Sequence, residues 1–431
     1  MKFYSLHHNA PKASFKEAVI RGIAPDKGLY FPEKITPLPK SFFDTIEQKS
    51  DLEIAKTAIY QFVSDEIDDE ALTSILKKVL DFPFPVHSIT DDCGTLELFH
   101  GPTMAFKDVG ARFMAHCLGY FSAKETAKQV TVLVATSGDT GGAVANGFLG
   151  VERVNVVILY PSGKVSEIQE KQLTTLGQNI TALEVDGTFD DCQRMVKTAF
   201  LDTDITEIKQ LTSANSINVA RWLPQMFYFL FAYKALKVKN KSLVFSIPSG
   251  NFGNICAGMV AQKLGMPVAQ FIAATNCNDT VPQFMKTGSY EPKPSTATIS
   301  NAMDVGDPSN FIRIQELYGN DINLLRKYLT AFSFSDYETK AAMKLLFNKY
   351  GYIADPHGAV GYLGWKEYQK KHPNTYGVFL ETAHPIKFLP TVEETLEKKI
   401  TIPKNIELLL TKEKKATFIT TYDELKRYLL A

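Results

Sequence analysis

The chain has 431 residues, with 47 Lys and Arg against 47 Asp and Glu, and so carries no formal net charge. Its 45% hydrophobic and 22% charged residues are those of a soluble globular protein with room for two or three domains. Neutrality argues against a broad nucleic-acid face, and no apolar run approaches the roughly 18 residues that cross a bilayer. The first residues lack a signal-peptide pattern, and five dispersed cysteines without a C-x-x-C read as reduced thiols, so a cytoplasmic protein is expected. Cys117 and Cys256 fall in apolar helical patterns and read as core residues. The eight histidines show no metal-ligand spacing, and no metal site is expected.

In chain order, residues 1–90 alternate Pro25, Pro32, Pro37 and Pro39 with helical patterns at 51–62 and 69–80, and predict a helical N-terminal extension. The run His100-Gly-Pro-Thr-Met-Ala-Phe-Lys-Asp108 predicts a turn at Gly101-Pro102. An amphipathic helix follows, with Phe106, Val109, Phe113 and Cys117 on one stripe. Lys107 falls in its first turn, where a cation opposes the helix dipole. It is either a solvated surface lysine or an amine whose pKa is lowered by apolar flanks and the helix terminus, as a Schiff-base nucleophile requires.

Strands are predicted at 131–135, 154–159, 180–185, 243–247, 268–274 and 376–380. Helical patterns lie between them at 165–176, 190–200, 223–237 and 254–264, with a small-residue helix from Ala143. Consecutive Val, Ile and Leu mark strands buried on both faces. Together with the β–α alternation they predict an α/β fold with parallel sheets. Residues 282–308 read as a long loop able to sit over a cleft, and 310–375 as helical. The expected organisation is an extension over 1–90, a smaller α/β domain with the lysine segment over 91–240, and a larger α/β domain over 241–431.

The loops 136–142 and 249–254 each join a strand to a helix. There, free amides and glycine permit close approach of an anion. Neither loop matches the nucleotide-binding patterns G-x-x-x-x-G-K-[ST] or G-x-G-x-x-G with its later acidic residue. The cluster Asn215-Ser-Ile-Asn-Val-Ala-Arg221 suits an anionic ligand, since Arg grips phosphate through two parallel bonds. It reads equally as a helix N-cap with a surface arginine.

Taken in order, Leu96-Glu-Leu-Phe-His-Gly-Pro-Thr-Met-Ala-Phe-Lys-Asp108 resembles the cofactor-lysine segment of the threonine synthase family. Arg21-Gly-Ile-Ala-Pro-Asp-Lys-Gly-Leu-Tyr30, Ser137-Gly-Asp-Thr-Gly141, Ser249-Gly-Asn-Phe-Gly-Asn254 and Glu381-Thr-Ala-His-Pro385 resemble that family in order and spacing. The resemblance covers essentially the whole chain. It implies fold type II of the pyridoxal-phosphate enzymes, with pyridoxal 5'-phosphate held by Lys107 as a Schiff base. It also implies a phosphate cradle of Gly250, Asn251, Phe252, Gly253 and Asn254, with Thr382 on the pyridine nitrogen. Ser137, Thr140, Asn215, Ser216 and Arg221 would hold the carboxylate and phosphate of O-phospho-L-homoserine, which water converts to L-threonine and phosphate. The implied enzyme is a monomer or homodimer with a small-molecule substrate and no nucleic-acid or membrane partner. The alternative is a phospho-lyase or serine/threonine dehydratase giving a 2-oxo acid. Asp139 stands where many relatives carry Asn against the cofactor's ring hydroxyl, and a carboxylate there repels a phenolate-like oxygen unless one of them shares a proton.

Overall fold

Strands buried on both faces build two largely parallel sheets in the computed structural model, which describes residues 1–124, 129–237 and 241–431. The larger sheet has the order Leu329–Ser333, Gln270–Thr275, Ser242–Pro248, Thr375–Glu381, Cys93–Glu97 and Val86–Thr90. The smaller has the order Thr417–Ile419, Ile180–Val185, Val154–Pro161, Val130–Ala135 and Gln210–Thr212. Every residue of Val130–Ala135 and Gln270–Thr275 is buried, so the uninterrupted apolar runs follow from helices on both sides. Within these sheets all pairings are parallel except Val86–Thr90 against Cys93–Glu97, a hairpin that closes one edge. The α/β class follows from these pairings.

The sheets do not follow contiguous thirds of the chain. Cys93–Glu97, just before the lysine segment, belongs to the larger sheet, whereas Thr417–Ile419 returns to the smaller one and pairs with Leu183, Glu184 and Val185. The expected boundary at residue 240 lies outside the described residues. The N-terminal extension is not purely helical, because Phe3–Ser5 pairs with Tyr30–Pro32. A helix, Thr280–Thr287, occupies the start of the expected loop 282–308 and stops at Gly288, whose φ of +86° suits glycine. The 310–375 stretch holds an edge strand, Leu329–Ser333, whose mostly half-exposed residues lack the apolar run of a central strand.

A second difference bears on the site. The small-residue helix starts at Asp139, four residues before Ala143, and spans Asp139–Phe148. Thr136 Oγ1 accepts the N–H groups of Gly138 (3.0 Å) and Gly141 (2.8 Å) and closes the turn early. Cys93, Cys117, Cys192 and Cys256 are buried thiols, and Cys277 is exposed. Among the described residues no helix is long and apolar enough to cross a membrane.

Candidate active site

The candidate residues gather where parallel strands end at their carboxyl edge, the usual place for a ligand in such sheets. Cys93–Glu97 leads to Lys107, Ser242–Pro248 to the turn 249–254, Thr375–Glu381 to Thr382, and Val130–Ala135 to the turn at Ser137.

Lys107 is the first residue of the helix Lys107–Ala123, whose Val109, Phe113 and Cys117 are fully buried. The turn before it is fixed by Asp108. Its carboxylate accepts the Thr103 N–H at 2.9 Å and the Thr103 hydroxyl at 2.5 Å. Burial pushes the Asp108 carboxyl up to about 6 against those bonds, so Asp108 is spent on local structure. The Phe106 N–H donates to the Thr382 carbonyl at 2.8 Å, Ala105 bridges Ala383, and the Tyr228 hydroxyl donates to the Phe106 carbonyl. These contacts bring Thr382 beside Lys107. Lys107 is half-buried, and among the described residues its Nζ makes no hydrogen bond or ion pair. Burial lowers its amine below the usual lysine range, Asp139 opposes that shift, and Lys387 and Arg221 add to it. Of the two readings, the solvated surface lysine is the one this environment contradicts.

Facing it, Asp139 is buried and paired with Lys387 at 2.7 Å. Gln169 Nε2 donates to the same Oδ1 at 2.8 Å. Burial alone would raise the Asp139 carboxyl. Lys387 and Lys107, with the Lys387 and Gln169 hydrogen bonds, outweigh burial and hold it below the usual carboxylate range. Sequence reasoning missed Lys387. Its one signal is a lysine between Ile386 and Phe388, directly after the Glu381–Pro385 motif. Ser137 is exposed and Thr140 half-buried on the same turn.

The turn 249–254 approaches from the larger sheet. Gly250 packs against backbone, since a Cβ there would lie 2.7 Å from the Ala302 carbonyl oxygen and 2.9 Å from Met303 Cα. Phe252 takes a left-handed φ of 61° and precedes the helix Gly253–Lys263. Among the described residues the amides of 250–254 have no backbone acceptor, which leaves a nest of donors at a helix N-terminus. Asn254 differs from its neighbours because its side chain is turned to the Pro248 carbonyl at 3.0 Å. Asn251 Nδ2 donates to Ser216 Oγ at 2.8 Å and brings the 215–221 cluster to the turn.

Arg221 is buried beside Gly110, one helical turn beyond Lys107, with no carboxylate partner among the described residues and an unbonded Nε. Its Nη1 donates to the Ala214 carbonyl. Burial lowers its guanidinium to about 10, opposed by Tyr228 and Asp108. The surface-arginine reading fails for it. Asn215 lies half-buried at the head of the cluster, and its carbonyl accepts the Asn218 N–H at 3.1 Å. No cluster of His, Cys, Asp and Glu among the described residues is arranged for a metal ion.

Three family descriptions match this chain: pyridoxal-phosphate dependent enzyme over residues 95–379, threonine synthase N terminus over 2–80, and threonine synthase, C-terminal, over 358–429. The threonine synthase of Escherichia coli strain K12 is 43% identical over 407 residues, 94% of each chain. The crystal structure of threonine synthase from Escherichia coli superposes with a TM-score of 0.92 at 41% identity, covering 100% of this chain and 99% of that one. The PLP-bound threonine synthase from Brucella melitensis superposes with a TM-score of 0.93 at 32% identity, with the same coverage.

Proposed function

The chain belongs to the threonine synthase family of pyridoxal-phosphate-dependent enzymes, and we propose that it forms L-threonine and phosphate from O-phospho-L-homoserine and water. The observation that carries this reading is the Lys107 amine, unpaired and lowered by burial, beside Thr382 and the charge-compensated Asp139.

The donors present suit pyridoxal phosphate. The unbonded amides of Gly250, Asn251, Phe252, Gly253 and Asn254 match a phosphate dianion, and Gly250 leaves the turn without a side chain where backbone already crowds it. Thr382, a neutral hydroxyl, suits the pyridine nitrogen without fixing a proton on it. Asp139, as a carboxylate already paired with Lys387, no longer presents an uncompensated negative charge to a ring oxygen. That pairing answers the repulsion expected from the sequence.

Bound at these groups, the pyridoxal ring supplies an electron sink for negative charge at the substrate's α-carbon. Lys107 Nζ would take the proton from the substrate's Cα and then serve Cβ as acid and base. Arg221 meets the departing phosphate, and its buried guanidinium stabilises charge more strongly than a solvated one. Ser137, Thr140, Asn215 and Ser216 orient the substrate carboxylate and phosphate. Their fixed positions convert binding into alignment.

The test is the purified holoenzyme supplied with O-phospho-L-homoserine, with phosphate and threonine measured together. Equal amounts of each are expected. Lys107→Ala should lose both turnover and the visible absorbance of the Schiff base. Release of 2-oxobutanoate and ammonia in place of threonine would turn the assignment to a phospho-lyase or dehydratase.

A further inference from the structure

Lys387 is a lysine with no exposed side-chain surface, placed by the turn Pro385–Phe388 immediately after Thr382. Its Nζ has two partners among the described residues: Asp139 Oδ1 at 2.7 Å and the Thr103 carbonyl at 2.8 Å. Thr103 belongs to the turn that presents Lys107, and Asp139 opens the helix facing it, so one ammonium joins three segments around the reactive amine. Gln169 completes the arrangement from the helix Glu167–Thr174. Its Nε2 holds Asp139 Oδ1, and its Oε1 accepts the Ser166 N–H at 3.1 Å.

An unpaired buried lysine is strongly destabilising, and burial as complete as this calls for a role that an apolar residue cannot fill. We propose that Lys387 is a positioning residue for Lys107: its ammonium occupies the Asp139 carboxylate, so that the nitrogen of Lys107 is not captured as that carboxylate's ion-pair partner. The pair then acts as a neutral unit toward the reacting nitrogen. Without it, the Asp139 carboxylate that acts on Lys107 would be uncompensated, and a positive charge on the Lys107 nitrogen would be favoured.

The other charges around Lys107 do not replace it. Arg221 has the right sign but makes no ion pair with Asp139 among the described residues, and its Nη1 donates to the Ala214 carbonyl. Asp108 is saturated by Thr103. His384, which shares the loop with Lys387, is lowered to about 4 by burial, with His100 next in effect, and is neutral at working pH.

This inference rests on the reading of Lys107 as the Schiff-base lysine. It is tested on the holoenzyme by titrating the visible absorbance of the Schiff base against pH. Lys387→Met should move the midpoint up by about one unit or more, because the Asp139 charge then stabilises the protonated nitrogen. Lys387→Arg, which keeps the charge, should stay near the parent. The double variant Asp139→Asn with Lys387→Met should return toward it. If Lys387→Met does not fold, the double variant is compared with Asp139→Asn alone, and the double should titrate higher. A Lys387→Met midpoint that coincides with the parent's, or a double-variant midpoint that coincides with that of Asp139→Asn, overturns the proposal, whereas a purely structural loss would lower the melting temperature and leave the midpoint in place. A parent enzyme with no visible band would defeat the reading of Lys107 itself, a different failure.

Discussion

Asn251 Nδ2 donates to Ser216 Oγ at 2.8 Å and ties the turn 249–254 to the loop that carries Asn215 and Ser216. Asn251 also accepts the Ser309 N–H at 2.6 Å on its side chain and the Asn310 N–H at 3.3 Å on its carbonyl. Arg313, fully buried and stacked on Trp222, ties Asn310 Oδ1 and the Ile217 carbonyl together from behind. Asn251→Ala removes both side-chain links. Each such bond is worth about 1 kcal/mol net, so roughly a tenfold rise in KM for O-phospho-L-homoserine and a several-fold weaker hold on the cofactor are expected. Ser216→Ala removes only one of those links and should weaken cofactor binding less. Steady-state kinetics with a cofactor titration separates the two, and an Asn251→Ala enzyme with unchanged KM would contradict the coupling.

Gly250 supports a sharper prediction. A methyl group there would meet the Ala302 oxygen at 2.7 Å and Met303 Cα at 2.9 Å, both on backbone that cannot swing aside. Overpacking of this kind costs about 1–3 kcal/mol. Because the strain falls on the turn that would hold the cofactor phosphate, it should appear as a dissociation constant raised about five- to a hundredfold. Equilibrium dialysis against pyridoxal phosphate measures it. A control at Gly163, whose φ of +65° is left-handed but whose Cβ would meet nothing within 4 Å, carries backbone strain without crowding, whereas Gly250 has no positive φ and carries the crowding alone.

How much of this was legible beforehand depended on where each signal resides. Lys107 announced itself because its turn, its apolar stripe and its neighbours are contiguous in sequence. Central strands such as Val130–Ala135 were legible because burial on both faces leaves an unbroken apolar run. Leu329–Ser333 was not, because an edge strand needs only part of that run. Thr417–Ile419, with two of its three residues exposed, is a strand only by virtue of its pairing with Ile180–Val185. The role of Asp139 was obscure for the same reason. Its charge is decided by Lys387 from a distant segment, and no local pattern links the two.

Arg221 separates function from stability. A buried guanidinium without a carboxylate partner and with an unbonded Nε is costly to the folded state unless an anion arrives. Arg221→Met should therefore lower kcat/KM by about a hundred- to a thousandfold. The variant should nevertheless be at least as stable as the parent in denaturant without phosphate. With both proteins saturated with pyridoxal phosphate, so that the turn 250–254 is filled, added inorganic phosphate should raise the parent's stability and leave that of Arg221→Met unchanged. A variant that lost stability without phosphate would show the guanidinium to be structural.

Behind Thr382 lies a carboxyl that should make stability fall with pH. Glu381 is fully buried, and its Oε1 accepts the Asp355 N–H at 2.5 Å. Among the described residues neither Oε2 of Glu381 nor Oδ2 of Asp355 has a hydrogen-bond partner. Asp355 Oδ1 is engaged by His357 Nδ1 at 2.8 Å, which holds that carboxylate in place. A Cβ on Gly358 would sit 1.6 Å from Glu381 Oε2, so the carboxyl packs directly on the helix Pro356–Gln369. Burial, then the Asp355 and Glu97 charges, raise the Glu381 carboxyl well above its usual 4.5, against the Asp355 N–H bond. The folded protein thus keeps a proton that the unfolded chain releases above the ordinary glutamate range. The contribution is fully present below that range and is lost as pH rises toward the folded value, with a slope approaching about 1.4 kcal/mol per pH unit. Glu381→Gln keeps an acceptor for the Asp355 N–H and removes the titration. Its stability in urea should match the parent near pH 4 and exceed it increasingly between pH 5 and 8. A difference that stays constant across that range would mean that Glu381 is ionised in the folded protein.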